Sequence, residues 1–306
     1  MWISADSEKI RYTGRIDWSV PKEPTWIFPC TSSEFKFTGN TLKIHVKNKN
    51  EYWQNYLGCI LDNVQSRFYI KKEGKTKIEV RVNENETGVH HVLFFKRQDS
   101  CHEVTILGYE IEDGEKLLEL PKKTDKRIEV YGDSVSAGEV SEAVEFVGKE
   151  DPEHEGGYSN SYYSYGWILA RKLGAQIHDI AQGGIALMDG EGWYHEPEQI
   201  GMETVWNKVH YNTRLSGMSD WDFSKYIPQV VIVAVGQNDC HPEDYMKEEY
   251  CHPQARKWRE HYMNFLRKSL IGFVEQEPQL LADKIISNLY PYNINENYEP
   301  EEMKWN

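Results

Sequence analysis

Three short segments of this 306-residue chain carry the residue types that acyl transfer requires. Ser134 lies in a Gly-Asp-Ser-Val segment, Gly184 in Gln-Gly-Gly-Ile, and Asn238 in Gly-Gln-Asn-Asp. A serine hydroxyl at the start of a helix can act as a nucleophile, because the helix N-terminus favours the negative charge that develops during attack. The backbone N–H of Gly184 and the side-chain amide of Asn238 can donate to the same developing oxyanion. Together they predict a serine nucleophile with an oxyanion hole.

Each segment is also an ordinary turn or loop sequence when taken alone. What favours the catalytic interpretation is their joint placement, because each follows directly after a predicted strand. Within the second segment the choice of backbone donor stays open, since Gly183 is the neighbouring alternative to Gly184.

The second half of the chain alternates strands and helices. Strands are predicted over residues 128–131, 177–181 and 230–235, and helices over 161–173 and 252–269. This alternation indicates an α/β fold with a parallel sheet, in which ligands bind at the carboxyl ends of the strands. The three candidate segments should therefore lie close together at the carboxyl end of the sheet. The β-branched run at 230–235 is typical of a strand that is buried on both faces.

The first half has a different pattern. Short runs of alternating apolar and polar residues follow one another from about residue 10 to 125, with turn residues between them and no helical period. This pattern predicts an all-β sandwich. We place the domain boundary at the Pro-Lys-Lys-Thr-Asp-Lys segment, giving a sandwich domain over 1–125 and an α/β domain over 126–306.

Composition excludes several function classes. The net charge of −14 argues against a nucleic-acid or anionic-membrane binder, which needs basic surface. The sequence contains no run of about 20 apolar residues, so no transmembrane helix is predicted. The five cysteines are scattered without a CxxC pair, which indicates reduced thiols. Because the N-terminus shows no leader pattern, we expect a cytoplasmic protein, or a secreted one if a leader was trimmed.

The order of these motifs resembles the SGNH (GDSL) hydrolases, and within them most closely carbohydrate esterase family 2. The resemblance extends from about residue 25 to 268 and includes the Gly-Gln-Asn-Asp-Cys-His-Pro segment. It implies a jelly-roll sandwich followed by a flavodoxin-like SGNH domain. It also implies Ser134 as nucleophile, Gly184 as backbone oxyanion donor and Asn238 as side-chain donor, with no metal or organic cofactor.

The chain departs from the family pattern near its C-terminus. The family carries its catalytic histidine in a late Asp-x-x-His block, which would fall near or just past position 306, and no histidine follows His261. We therefore expect this block to be missing and the parallel sheet to be incomplete. A short apolar run at 285–289 is the candidate for a fourth strand.

Two further residues are candidates for the site. His241 follows Asn238 by three positions and is the best in-chain substitute for the missing base, although a base must lie within hydrogen-bond reach of the serine. A metal site formed by His241 with His252 has no supporting ligand spacing. Trp193 lies between Gly184 and Asn238. It could stack on a sugar ring as a substrate-binding residue or pack the loop against the sandwich.

Three functions follow from this pattern. The first is a carbohydrate O-acetyl esterase acting on acetylated xylan or mannan oligosaccharides, a substrate class that comes from the resemblance. The second is a truncated or catalytically inactive esterase that only binds carbohydrate. The third, a lipase or thioesterase of the same superfamily, is disfavoured because those enzymes usually lack the N-terminal sandwich.

Overall fold

The computed structural model describes residues 1–83, 88–153, 155–245 and 251–274, with side chains to Ser269. The predicted fourth strand at 285–289 and the expected late histidine block lie outside these residues. No helix in the described part of the chain is both long and apolar enough to cross a membrane.

The N-terminal half is a sandwich of two antiparallel sheets. Its strands are β1 Trp2–Ile3, β2 Arg11–Thr13, β3 Ile16–Asp17, β4 Thr25–Trp26, β5 Ser32–Thr38, β6 Thr41–Asn50, β7 Asn55–Leu61, β8 Val64–Ile70, β9 Gly74–Arg81, β10 Val89–Lys96, β11 His102–Ile111 and β12 Leu117–Leu118. One sheet has the order β3-β4-β11-β6-β9 with β1 paired to β11, and the other has the order β12-β5-β10-β7-β8 with β2 paired to β5. The prediction that the first half of the chain is an all-β sandwich is therefore confirmed.

Alternating side chains of the long strands form the sandwich core. In β6, Leu42, Ile44 and Val46 are almost fully buried, while the residues between them are only partly buried. Successive strand residues point to opposite faces, so a period of two places every second side chain in the core. Leu42 and Ile44 pair with Val80 and Ile78 of β9, which continue the same buried face.

The second half contains a three-stranded parallel sheet. Its strands are β13 Arg127–Gly132, β14 Gln176–Ala181 and β17 Val230–Ala234, and the order is β14-β13-β17. Between β14 and β17 the chain forms a small antiparallel pair, β15 Lys208–His210 and β16 Ser219–Asp220. The helices are α1 Ser134–Ala137, α2 Tyr165–Leu173, α3 Met202–Val205 and α4 Pro253–Val274. No helix or strand lies between Leu118 and Arg127, and the domain boundary at residue 125 stays a prediction.

The predicted helix at 161–173 is wrong in its first turn. Ser161–Tyr163 forms a separate 3-10 turn. Ser164 then leaves the helical conformation and caps α2, its hydroxyl accepting from the Trp167 N–H at 3.3 Å. A serine at this position satisfies an otherwise unpartnered N–H of the first turn, which explains why the helix begins after it. Gly174 ends α2 in the left-handed conformation, as predicted.

The prediction that the 230–235 strand is buried on both faces is also wrong. Val230 is 48% exposed, and the rest of β17 is only half-buried. Within the described residues β17 pairs with β13 alone and so forms an edge of the sheet. Its apolar sequence resembles that of a central strand, but it has a single neighbouring strand in the part of the chain that the structure describes.

A buried ion pair joins the sandwich to the parallel sheet. Arg15, from the turn between β2 and β3, is fully buried and pairs with Glu129 of β13. Its guanidinium also donates to the carbonyl oxygens of Trp206 and Lys208, both at 2.7 Å. Burial raises the pKa of Glu129, opposed by the adjacent Arg15 charge. A buried charge of this kind is tolerated only with a partner, so it links the two halves specifically.

Candidate active site

The register of the parallel sheet aligns the carboxyl ends of its three strands, so the three candidate segments follow at the same end of the sheet. Gly132, at the end of β13, pairs with Ala181 of β14 and with Ala234 of β17. The three strands therefore end at the same level, and the chain leaves each of them toward the same side. Ser134, Gly184 and Asn238 lie two, three and four positions beyond these paired residues.

Ser134 is the first residue of α1. The preceding residue, Asp133, caps this helix by accepting from the Val135 N–H at 3.1 Å. The Ser134 side chain is half-buried, and its hydroxyl has no hydrogen-bond partner among the described residues. The Ser134 hydroxyl, at the start of this four-residue helix, is therefore not held by a described neighbour.

The two glycines after β14 have different environments. The Gly183 N–H donates to Asp99 Oδ2 at 2.9 Å. Gly184 has a φ of +74°, and its carbonyl accepts from the N–H groups of Trp193 and Tyr194 at 2.8 and 3.1 Å. The Gly184 N–H has no acceptor among the residues that the structure describes. A glycine is needed here, because a Cβ would lie 3.0 Å from Trp193 Cβ on a left-handed backbone.

Asn238 lies in the 3-10 turn Asn238–Cys240 that follows β17. Its side-chain amide donates to the Ile185 carbonyl at 3.0 Å. This bond ties the third segment to the second and uses one of the two N–H groups of the amide. The other N–H has no acceptor in the described part of the chain.

Asp239 has a structural role that was not predicted from the sequence. This buried carboxylate accepts from the N–H groups of Leu187 and Met188 and, at 2.8 Å, from Trp258 Nε1. Burial raises the pKa of Asp239, opposed by these N–H donors. Asp239 therefore fixes the loop after Gly184 against the turn that carries Asn238. Only its position next to Asn238 could have indicated this role.

His241 does not hydrogen-bond to Ser134. Its Nε2 pairs with Glu196, and its ring stacks on Trp193 with ring centroids 3.4 Å apart. Its carbonyl accepts from the Gly192 N–H at 2.9 Å. The structure thus places His241 in the loop cluster around Gly184, with one ring nitrogen already paired.

Trp193 is the most exposed tryptophan near these loops, with 57% of its surface accessible. One ring face is covered by His241. Tyr194, the next residue, is instead buried in the core. Of the two readings of Trp193, exposure favours a ligand-contacting residue over a packing residue.

The sandwich also contributes to the loop after β14. Asp99, in the turn between β10 and β11, is almost fully buried and accepts from Gln182 Nε2 at 2.7 Å as well as from Gly183. Glu139, directly after α1, lies over Gly183 so closely that a Cβ there would collide with it. Burial, followed by the charge of Asp99, raises the pKa of Glu139 well above its usual range. No sequence signal pointed to Asp99, because it comes from the other half of the chain.

No group of three or more His, Cys, Asp or Glu side chains in the described residues could hold a metal ion. His241 is paired with Glu196, and His252 accepts from the Gln254 N–H at the start of α4. The geometry gives the two histidines separate structural partners.

Comparison with known proteins identifies relatives of both halves. Residues 12–121 match the sequence model of the family described as Carbohydrate esterase 2 N-terminal. Cellulase/esterase CelE of Acetivibrio thermocellus is 32% identical over 235 residues, which are 76% of this chain and 27% of that protein. The chain is a relative of the family 2 carbohydrate esterases. The acetylxylan esterase / glucomannan deacetylase of Cellvibrio japonicus is 25% identical over 240 residues, 78% of this chain and 64% of that one.

Solved family 2 structures share the fold. A family two carbohydrate esterase from Clostridium thermocellum, determined in complex with cellohexaose, superposes with a TM-score of 0.72 at 27% identity. That superposition covers 86% of this chain and 74% of the other. The family two esterase from Cellvibrio japonicus gives a TM-score of 0.75 at 22% identity, covering 89% and 76%. The chain thus spans about a quarter of CelE and just under two thirds of the Cellvibrio relative.

Proposed function

We propose that this protein is a carbohydrate O-acetyl esterase that removes acetyl groups from plant polysaccharide fragments, such as xylan or mannan oligosaccharides. The observation that carries this proposal is that three groups lie just beyond the carboxyl ends of the paired strands. They are the Ser134 hydroxyl and the Gly184 N–H, which have no hydrogen-bond partner among the described residues, and the Asn238 amide. The names of the relatives support the ester and carbohydrate classes. We further propose that the parallel sheet is the core of a flavodoxin-like SGNH domain.

The proposed chemistry has two steps. Ser134 Oγ forms a bond to the acetyl carbonyl carbon while a base takes its proton, and the carbonyl oxygen becomes an oxyanion. The N–H groups of Ser134, Gly184 and Asn238 stabilise that oxyanion. The carbon–oxygen bond to the sugar then breaks, and the sugar oxygen receives the proton. Water attacks the acetyl-Ser134 ester in the same way and releases acetate.

Gly184 is the backbone donor in this proposal, and Gly183 is not. The Gly183 N–H is already committed to Asp99. A donor that is hydrogen-bonded to a buried carboxylate cannot turn to a substrate oxygen without leaving that charge less solvated. The Gly184 N–H has no acceptor among the residues that the structure describes.

A second candidate function is carbohydrate binding without turnover. It is favoured by one observation, that no described histidine forms a hydrogen bond with Ser134. In that case Trp193, exposed on one face, would contact sugar and the esterase machinery would be incomplete.

The test compares hydrolysis of 4-nitrophenyl acetate by the unaltered chain and by Ser134→Ala. The proposal expects turnover that is lost in the variant while circular dichroism and unfolding remain unchanged. Acetate release from acetylated xylan and glucomannan oligosaccharides then tests the substrate class. Equal rates in both proteins would contradict the esterase proposal. Calorimetric titration with cello-oligosaccharides, using Trp193→Ala as a comparison, would then test the binding alternative.

A further inference from the structure

Asp99 connects the sandwich to the loop that carries the oxyanion donor. It belongs to the turn between β10 and β11, and its side chain is 1% exposed. Its Oδ1 accepts from the Cys101 N–H of its own turn at 2.9 Å. Its Oδ2 accepts from the Gly183 N–H at 2.9 Å and from Gln182 Nε2 at 2.7 Å. The Tyr52 hydroxyl, also from the sandwich half, lies 3.4 Å from both oxygens. Asp99 is therefore held by groups of the sandwich half, and its Oδ2 also accepts from two groups of the loop.

These bonds fix the peptide unit that precedes the proposed donor. The Gln182–Gly183 peptide is held through its N–H by Asp99. On the other side, the Gly184 carbonyl is held by the Trp193 and Tyr194 N–H groups. The peptide unit between them, which carries the Gly184 N–H, has fixed neighbours on both sides. Its direction is set by these anchors, because only the dihedral angles of Gly183 and Gly184 separate it from them.

The anchor is further supported around Gln182. Its side-chain oxygen accepts from the Tyr211 hydroxyl at 2.7 Å, and its backbone N–H donates to the Gly132 carbonyl at 3.2 Å. Gly183 has no room for a side chain, because a Cβ would meet Glu139 and would lie 2.9 Å from Asp99 Oδ2. The side chains of buried Asp99 and half-buried Glu139 thus both approach the loop at Gly183.

We propose that Asp99 is a positioning residue of the oxyanion hole, through which the β-sandwich sets the direction of the Gly184 N–H. The proposal rests on the proposed esterase function. It assigns the sandwich a part in the reaction, beyond packing against the catalytic half. Because the oxyanion forms only in the transition state, loss of this positioning lowers kcat and leaves KM nearly unchanged.

The activity test compares Asp99→Asn with Glu103→Gln. Glu103 is a matched control, because it is also a buried carboxylate of the sandwich and contacts His210 and Ser216 in the other half, away from the loop. We expect Asp99→Asn to lower kcat for 4-nitrophenyl acetate by about 10- to 100-fold. KM should stay within about twofold, and Glu103→Gln should retain the full rate. A full rate in a folded Asp99→Asn protein would overturn the proposal.

A second measurement needs no variant and no activity. In protein labelled with ¹⁵N-glycine, the Gly183 amide should exchange slowly with solvent and the Gly184 amide rapidly. In Asp99→Asn, if it folds, the Gly183 amide should lose its protection while the amides of β14 keep theirs. Equal, fast exchange of both glycines in the unaltered protein would overturn the proposal. If the unaltered chain shows no Ser134-dependent turnover, the esterase proposal fails and this exchange measurement still decides the anchoring role of Asp99.

Discussion

At the scale of single residues, Asn238 has the most specific geometry of the three candidate site residues. One N–H of its side-chain amide donates to the Ile185 carbonyl and so orients the amide. The second N–H has no acceptor among the described residues. Asn238→Ala should lower kcat for 4-nitrophenyl acetate by about 10²–10³-fold with little change in KM, because an oxyanion donor acts in the transition state.

The matched control for Asn238→Ala is Gln237→Ala, which truncates the exposed neighbouring amide and should keep the full rate. Steady-state kinetics of both variants decide the assignment. A rate near that of the unaltered chain in Asn238→Ala would remove Asn238 from the proposed oxyanion hole.

His241 provides a second residue-scale prediction. Its Nε2 pairs with Glu196 and its ring stacks on Trp193. These contacts are those of a residue that holds the exposed Trp193 ring in place. His241→Ala should therefore raise KM for an acetylated oligosaccharide, while His241→Phe, which keeps a ring there, should restore it. Neither should change the rate with 4-nitrophenyl acetate by more than a few-fold. A loss of about 10²-fold or more in both variants would instead identify His241 as the general base.

At the scale of secondary-structure elements, local sequence predicts the end of α2 but not its start. Gly174 was predicted to stop the helix and does so with a φ of +61°. The start was misplaced, because residues 161–163 have helical neighbours in sequence but form a separate turn. Here tertiary contacts compete with helix propagation, since Ser161 bonds to the Cys30 N–H and the Lys96 carbonyl of the sandwich.

Gly174 allows a test of backbone conformation without packing effects, because a Cβ there would meet nothing within 4 Å. Gly174→Ala should lower the free energy of unfolding by about 1 kcal/mol, since the left-handed conformation disfavours a residue with a Cβ. Gly174→Asn should cost less, because asparagine tolerates this conformation. Urea unfolding of the three proteins measures the difference, and equal stability of all three would contradict this account.

At the scale of the whole molecule, buried ionisable groups join the two halves. Asp179, in the middle of β14, is buried and accepts from the Cys30 thiol of the sandwich side at 3.2 Å. Burial raises the pKa of Asp179 to about 8. The folded protein therefore holds this carboxyl neutral at pH values where the unfolded chain, with a pKa near 3.8, releases the proton.

The sign of the resulting pH dependence follows from this raised pKa. The contribution of Asp179 to stability is fully present below pH about 4 and is lost as pH rises to about 8. The slope in that window is about 1.4 kcal/mol per pH unit. Asp179→Asn should make the fall of stability with pH less steep and should be more stable than the unaltered protein near pH 8. Urea unfolding between pH 5 and 8.5 measures both effects.

Asp125→Asn is the control for Asp179→Asn, because it removes the same charge at an exposed position. It should keep the slope of the unaltered protein. If the slopes of the unaltered protein and of Asp179→Asn are equal over this range, burial of Asp179 as a neutral acid is wrong.

The amino-acid sequence by itself determined the local features of this protein. Alternation at period two identified the sandwich strands, and the residue types after three strands identified Ser134, Gly184 and Asn238 as candidates. These features depend on neighbours within a few positions, so composition and spacing are sufficient to indicate them.

Only the tertiary structure decided how these residues are supported and oriented. Asp99 and Gly183 are far apart in sequence, yet the Gly183 N–H donates to Asp99, whereas the Gly184 N–H has no acceptor in the described part of the chain. Likewise, β17 pairs with β13 alone within the described residues, and its apolar sequence does not show this. Hydrogen-bond partners and strand neighbours are set by long-range packing, which the spacing of residues along one segment does not specify.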